Sequence, residues 1–462
     1  MIARMVRDHE VVGLNPTTST NDATAQGSTN KNHHTQRKKM KHYNEYIQIL
    51  NEELAVAMGC TEPIAIAYCA SLVRDNLGCL PTSVEVFVSG NIIKNVKSVI
   101  VPNTNKSAGI ETAVAIGLLA GNSQAKLEVI ANVTADEADR LPQFLKDTPI
   151  VVRPADTDHT LYIEIIGKSS RDKVKVVIAD AHTHVVLIEK NGDTLYKNQQ
   201  KVEKYQSTID KSILNVADIV NFANALDVED VKGTLGRQIK YNMAIANEGI
   251  TNNYGANIGK TLLKHGNGDI LAYCKALASA ASDARMNGCE MPVVINSGSG
   301  NQGITCSVPV VAYAQKTGKS ETLMYKALAL SNLITIHIKN SIGKLSAFCG
   351  VVIAGVGAGA GICYLEGGNL EDISHTIVNA LAIISGVVCD GAKSSCAAKI
   401  ASSVEAGMLG YYMHKDGNQF VDGEGIVKKG VENTIKAVGS LARVGMCETD
   451  KEILHIMIGQ ME

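Results

Sequence analysis

Between Val351 and Cys363 every second position from Gly355 to Gly361 is glycine, with Val and Ala between. Such a run excludes most folds. It has the side-chain volume to be neither an exposed amphipathic helix nor a strand interior, and it lacks a Val/Ile-rich strand before it to act as a nucleotide loop. Its length and hydropathy would pass for a membrane span from Leu345 to Leu365, but the chain has no further stretches of spanning length. A buried helix whose neighbours approach closely accounts for it best. The whole chain agrees: 41 Gly against 9 Pro, no Trp and 5 Phe require an aliphatic core packed on Ala and Gly.

The glycine run lies inside a longer segment, Ser346 to Lys399, which holds four cysteines among small residues. Cys349 precedes the run and Cys363 ends it. Cys389 and Cys396 follow in a C-x6-C arrangement beside the Asp390-Gly391 turn. Thiolates in glycine-rich backbone suit an iron–sulfur cluster, because main-chain N–H groups can approach the sulfurs. Buried free cysteines in a small-residue helix interface are the competing reading.

Eleven cysteines without framework spacing, and no apolar leader between Met1 and Gly13, point to reduced thiols in a cytoplasmic protein. Acid and base nearly cancel at a net charge of −2, so a nucleic-acid partner is not expected. A membrane partner is not expected either.

Residues 1–40 are polar and low in complexity, and read as a disordered extension. Residues 41–205 mix helices with strands. Helical periodicity runs from Tyr43 through Ile47, Leu50 and Leu54 to Met58, breaks at Gly59-Cys60-Thr61-Glu62-Pro63, and resumes to about Leu77. Strands are expected at Ser83–Val88, Leu127–Ala131, Ile150–Val152, Leu161–Ile166, Val174–Ala179 and Val185–Glu189. A helix capped by Thr134 is expected over Ala135–Lys146, and a hairpin turn at Asn191-Gly192. Strand signals nearly vanish in residues 206–462, where helices recur. The expected class is therefore α+β, an N-terminal mixed α/β region followed by a mostly all-α helical catalytic domain.

Three further features carry chemistry. Cys60, just ahead of the helix that Thr61 and Pro63 open, sits where the macrodipole lowers a thiol's pKa. Ser297 to Gly303 follows the apolar run Pro292–Ile295 and reads as a glycine-rich turn opening a helix. Ser299, Asn301 and Gln302 would there face an anion or substrate. His182 and His184 alternate on an expected strand edge, as a metal pair or as surface histidines. Lys344, Lys393 and Lys399 lie in no recognisable pyridoxal context.

Gly59-Cys60-Thr61-Glu62-Pro63, Ser89-Gly90-Asn91, Asp283-Ala284-Arg285-Met286, Ser297 to Gly303 and Cys389-Asp390-Gly391-Ala392-Lys393 together resemble the L-cysteine desulfidase family. That family is a branch of the iron–sulfur serine dehydratase α-chain-like proteins, and the likeness covers roughly residues 42 to 460. It implies a lyase with a [4Fe–4S] cluster and no pyridoxal, eliminating hydrogen sulfide from L-cysteine to leave pyruvate and ammonia. Cys349, Cys389 and Cys396 fall on the cluster ligands and Cys60 on the proton acceptor. Asp283 would pair with Arg285 or take the substrate's ammonium. The last two cysteines are closer together than in the serine dehydratase branch, and no terminal cysteine follows Gly459, so the resemblance supplies no fourth ligand. The alternatives are an L-serine dehydratase of the same mechanism and a non-catalytic iron–sulfur sensor. The expected partner is a small amino acid, with self-association left open.

Overall fold

The computed structural model describes residues 40–58, 61–157, 159, 161–198, 209–343 and 347–459. Most of the expected N-terminal extension, Cys60, Lys344, Ser346 and the expected boundary near residue 205 lie outside them. His42–Glu462 forms one compact unit with the α+β architecture read from the sequence.

Six strands make one sheet: β2 (Ser83–Val88), β3 (Ile150–Pro154), β4 (Tyr162–Lys168), β5 (Lys173–Ala179), β6 (Val185–Lys190) and β7 (Asp193–Lys197). Their order is β3-β2-β4-β5-β6-β7, with β2 and β3 parallel and the other neighbours antiparallel. Alternation sets the faces: Val84, Val86 and Val88 are buried, whereas Ser83, Glu85 and Phe87 turn outward. Helices Thr61–Leu77 and Ile110–Ala120 cover the buried face. A Cβ on Gly117 would collide with the Ala67 carbonyl, so these two helices touch backbone to backbone. The Asn191-Gly192 hairpin forms as expected, with both residues at positive φ (56° and 97°).

Three local expectations fail for physical reasons. Leu127–Ala131 is no strand. Asn122 accepts the Gln124 N–H and donates its own backbone N–H to Val129, closing a compact 3-10 loop over Ser123–Glu128. Thr134 does cap a helix, in a reciprocal capping box with Glu137, but that helix ends at Asp139. A second runs from Leu141 to Asp147, because Pro142 cannot donate the N–H that continuity requires. The periodic stretch from Tyr43 ends at Glu53, and β1 (Val56–Met58) pairs antiparallel with β8 (Pro292–Val294) instead of extending the helix.

The helix Gly350–Leu365 is the axis of the rest, buried along its length from Val351. Its glycines serve two faces, since residues four apart share one. A Cβ at Gly355 would strike the Ser403 carbonyl and one at Gly359 the Gly407 carbonyl, both on helix Cys396–Lys415. Gly357 faces Thr335 and Ser331 of helix Glu321–Ile342, and Gly361 faces Val310 and Ala327. The pairs 355/403 and 359/407 share one offset. The two helices therefore run parallel, and that offset sets Cys349 level with position 397, next to Cys396.

Each region also lends a helix to the other. Tyr43 and Tyr46, on helix Tyr43–Glu53, pack as tilted rings on Phe222, with centroids 5.2 and 5.4 Å away. Helix Cys447–Ile458 returns to the sheet side, where its Leu454 lies against Gly90 and its Asp450 pairs with the buried Lys94. Among the described residues no helix is long and apolar enough to cross a membrane.

Candidate active site

A short antiparallel bridge, Phe348 with Val388, draws two distant loops together. The Cys349 N–H donates to the Val387 carbonyl at 3.0 Å, and the Cys389 N–H donates to Ala347. Cys349 is the N-cap of helix Gly350–Leu365, and Cys396 is the first residue of helix Cys396–Lys415. The parallel register then brings all three thiols to one corner. Cys363 stays out: fourteen residues along the helix, at 1.5 Å of rise each, put it about 21 Å from Cys349. The loop carrying Cys389 is pressed on helix Gly90–Val96. Gly391 has φ 93°, and a Cβ there would overlap the Lys94 carbonyl.

The corner is built for negative charge. Two helix N-termini meet there. Cys349 and Cys389 hydrogen-bond thiol to thiol; that bond lowers the Cys389 pKa, aided by Lys94 and Lys399, and raises that of Cys349. Burial raises the Cys396 thiol, and the Cys389 charge adds to it. Lys339 lies half-buried nearby, its pKa lowered by desolvation against the pull of Cys389 and Cys349. Burial works against the Asp390 charge, but Lys393, at 2.8 Å, and Lys399 outweigh it and hold the carboxyl at about 2. Asp390 thus anchors the two lysines on the loop.

Among the described residues, no three His, Cys, Asp or Glu side chains are gathered tightly enough to grip a single metal ion. An iron–sulfur cube makes a different demand, since each thiolate takes a different iron and the sulfurs stand apart across the cube. Three soft thiols among lysines, two at helix N-termini and Cys389 on the adjoining loop, fit that donor set.

The Ser297–Gly303 turn borders the same corner. Ser297 and Gly298 take positive φ, and Ser299 caps helix Gly300–Lys316 by accepting the Gln302 N–H at 3.4 Å. Asn296 anchors the turn to Asn332, itself locked to Gln238 by two reciprocal hydrogen bonds between their side-chain amides. Gln302 is only 4 % exposed, its amide stands against Gly350 beside Cys349, and its Oε1 has no partner. Asn301 is engaged differently. Its Oδ1 accepts from Arg285 Nη1 at 3.3 Å and from Ser282 Oγ at 3.4 Å.

Asp283 does not pair with Arg285. Its Oδ2 accepts the Gly259 N–H at 2.9 Å and its Oδ1 has no partner, so burial pushes its carboxyl up to about 6. The end of that helix reaches the thiol loop through Asn287, which takes a 2.7 Å hydrogen bond from Ser394.

Cys60 lies outside the described residues, which resume at Thr61. Helix Thr61–Leu77 begins one residue after it. Glu62 accepts from Asn95 at 3.3 Å, on the short helix whose Lys94 meets Gly391. The histidines sit before β6, not along it. His184 closes the hairpin on the Ala179 carbonyl at 2.9 Å. His182 is largely buried, which lowers its pKa against the influence of Glu62, and its Nε2 has no partner.

Lys94, Lys339 and the role of Arg285 escaped the sequence reading. Nothing local marks Lys94. Arg285 did stand in a singled-out motif, but its contact with Gly300 is set by tertiary packing.

Fold and corner together define an α+β protein with three thiols gathered where two helix N-termini meet. The family model for the serine dehydratase alpha chain matches residues 124–455, and the chain belongs to that family. It is 54 % identical to a UPF0597 protein of Desulfitobacterium hafniense over 91 % of this chain and 98 % of that one. It is 43 % identical to a UPF0597 protein of Treponema denticola over 91 % and 99 %. A UPF0597 protein of Fusobacterium nucleatum is 41 % identical over 89 % and 98 %. Membership supports a dehydratase-like lyase of amino-acid catabolism, in a family that is generally iron–sulfur dependent.

Proposed function

We propose that this chain is a [4Fe–4S]-dependent, pyridoxal-independent lyase that converts L-cysteine to pyruvate, ammonia and hydrogen sulfide. The observation that carries the reading is the convergence of Cys349, Cys389 and Cys396 at two helix N-termini among lysines. Cys349, Cys389 and Cys396 would hold the cluster, which would supply Lewis acidity toward the departing β-substituent.

The chain's own groups do the rest. A base takes the α-proton, the Cβ–S bond breaks with its electron pair on sulfur, and the resulting 2-aminoacrylate isomerises to an imine that water hydrolyses to pyruvate and ammonia. Cys60, ahead of a helix N-terminus, is the base, because a thiolate is favoured there at neutral pH. Gln302 offers its buried Oε1 to the substrate's ammonium. Ser299 holds the turn as its cap, and Asn301 acts by steadying Arg285.

Anaerobic purification, iron and sulfide analysis, and pyruvate assays over L-cysteine and L-serine test the reading. Iron and sulfide in cluster proportion with sulfide release from L-cysteine are expected; a protein that binds no cluster would sink it. L-serine is the second reading, favoured by the matching family's description, and the same screen separates the two. Cys60→Ser should keep iron and sulfide near the wild-type amount and lose about 10²–10⁴-fold in turnover. Loss of the cluster would instead make Cys60 a ligand.

A further inference from the structure

Arg285 is placed in a way that packing alone does not require. It lies in the last turn of helix Ile270–Met286, partly exposed, while Asp283, Ala284 and Met286 around it are buried. Its guanidinium lies on Gly300, the first residue of helix Gly300–Lys316. A Cβ on Gly300 would stand 2.6 Å from Cζ, so only glycine lets the guanidinium settle there. Asn301 fixes its orientation by accepting from Nη1 at 3.3 Å.

A guanidinium beside a helix N-terminus joins two sources of positive potential, a setting that favours a bound anion. A second observation at the same wall points to a ligand. Gln302, two residues beyond Gly300, is nearly fully buried, and its unpartnered Oε1 stands beside Gly350 and Cys349. A buried acceptor left unsatisfied is costly, and a substrate N–H would satisfy it. Three helices thus meet along this wall: Arg285 rests on the Gly300 terminus, Gln302 stands two residues further on, and Gln302 abuts Gly350 beside Cys349. In that order they match the carboxylate, the ammonium and the β-substituent of a small α-amino acid.

We propose that Arg285 is the α-carboxylate anchor, gripping it with the planar fork that suits carboxylates, so that the site admits α-amino acids and rejects the corresponding amines. This rests on the reading that a small amino acid is the substrate, and deepens it.

The test uses the anaerobically prepared full chain with Arg285→Gln, Arg285→Lys and Gly300→Ala, the last displacing the guanidinium without removing it. Kinetics with L-cysteine and with cysteamine, which lacks the carboxylate, are read beside iron content and the melting-temperature shift given by L-alanine or ethylamine. Wild type should act on L-cysteine only and be stabilised by L-alanine only. Arg285→Gln and Gly300→Ala should keep their iron, raise KM for L-cysteine about 10- to 100-fold and lose the L-alanine shift. Arg285→Lys should recover part of both. An unchanged KM with a retained L-alanine shift in Arg285→Gln overturns the assignment, as does cysteamine turnover by wild type. If wild type turns over no amino acid, the functional reading falls and the L-alanine shift alone decides Arg285. Its presence in wild type and loss in the variants supports the anchor, and any other pattern overturns it. Should Arg285→Gln not fold, Gly300→Ala and Arg285→Lys decide the question by the same two readouts.

Discussion

Asp283 makes a prediction whose size follows from its surroundings. The side chain is 1 % exposed, one oxygen accepts a backbone N–H and the other has no partner. Burial raises its pKa from 3.8 to about 6. A raised folded-state pKa contributes stability that is full below the unfolded value, near 4, and is lost as pH rises through about 6. At about 1.4 kcal/mol per pKa unit the whole swing is about 3 kcal/mol, of which roughly 1.4 kcal/mol falls between pH 5 and pH 8. Asp283→Asn removes the titration and keeps an oxygen for the Gly259 N–H. Its unpartnered amide adds an offset that does not depend on pH. The pH-dependent change in the difference between the two proteins is the observable, and the variant should gain about 1.4 kcal/mol on wild type from pH 5 to pH 8. Since the chain has no Trp, urea midpoints are best followed by far-UV circular dichroism at both pH values. A difference between the two proteins that stays constant, or that moves in favour of wild type by pH 8, refutes the reasoning.

Three further outcomes are expected of packing and charge, and one of the N-terminal extension. Gly359→Ala should cost about 1–3 kcal/mol by overpacking against Gly407 and also lower iron content, because it shifts the register that aligns Cys349 with Cys396. Gly117→Ala, an equivalent collision with Ala67 on the sheet side, should lower the melting temperature and leave iron per folded protein unchanged. Asp450→Ala strands the buried Lys94 and should cost about 3–5 kcal/mol, read as a lower urea midpoint that Lys94→Met on the same chain partly restores. A chain beginning at Lys41 should keep the melting temperature and iron content of the full chain, since the composition of residues 1–40 cannot offset their ordering entropy.

What the sequence disclosed, and what it hid, divides by range. Strands β2, β4, β5 and β6 were legible because one face of each must be apolar, and Asn191-Gly192 because a tight hairpin needs two positive φ values. The glycine run was legible as a packed helix, and its spacing carried more than that. Positions 355 and 359 serve one neighbour, and 357 and 361 others. Local rules failed where a distant partner or a missing donor decided the outcome. Val56–Met58 continues a helical pattern, yet β8, more than two hundred residues later, draws it into a ladder. Pro142 has the right polarity for its helix and the wrong backbone.

The site follows the same division and shows why cysteine spacing is a poor guide to this corner. Forty residues separate Cys349 from Cys389, and no C-x-x-C turn sets their distance. The Phe348–Val388 bridge does so for that pair, and the glycine contacts at 355/403 and 359/407 do so for Cys349 and Cys396. The glycines are thus the geometric constraint on the thiols, and the thiols alone could not reveal it. The charges are more distant still. Lys94 reaches Cys389 from near the other end of the chain, through a glycine whose φ of 93° lets the loop close on its carbonyl. Even there the sequence left a trace. Gly90 of the Ser89-Gly90-Asn91 motif and Gly391 of the Cys389–Lys393 motif are both glycines against which a helix from elsewhere in the chain comes to rest. Motif glycines at such positions mark where segments meet, and in this chain they meet around the sulfurs.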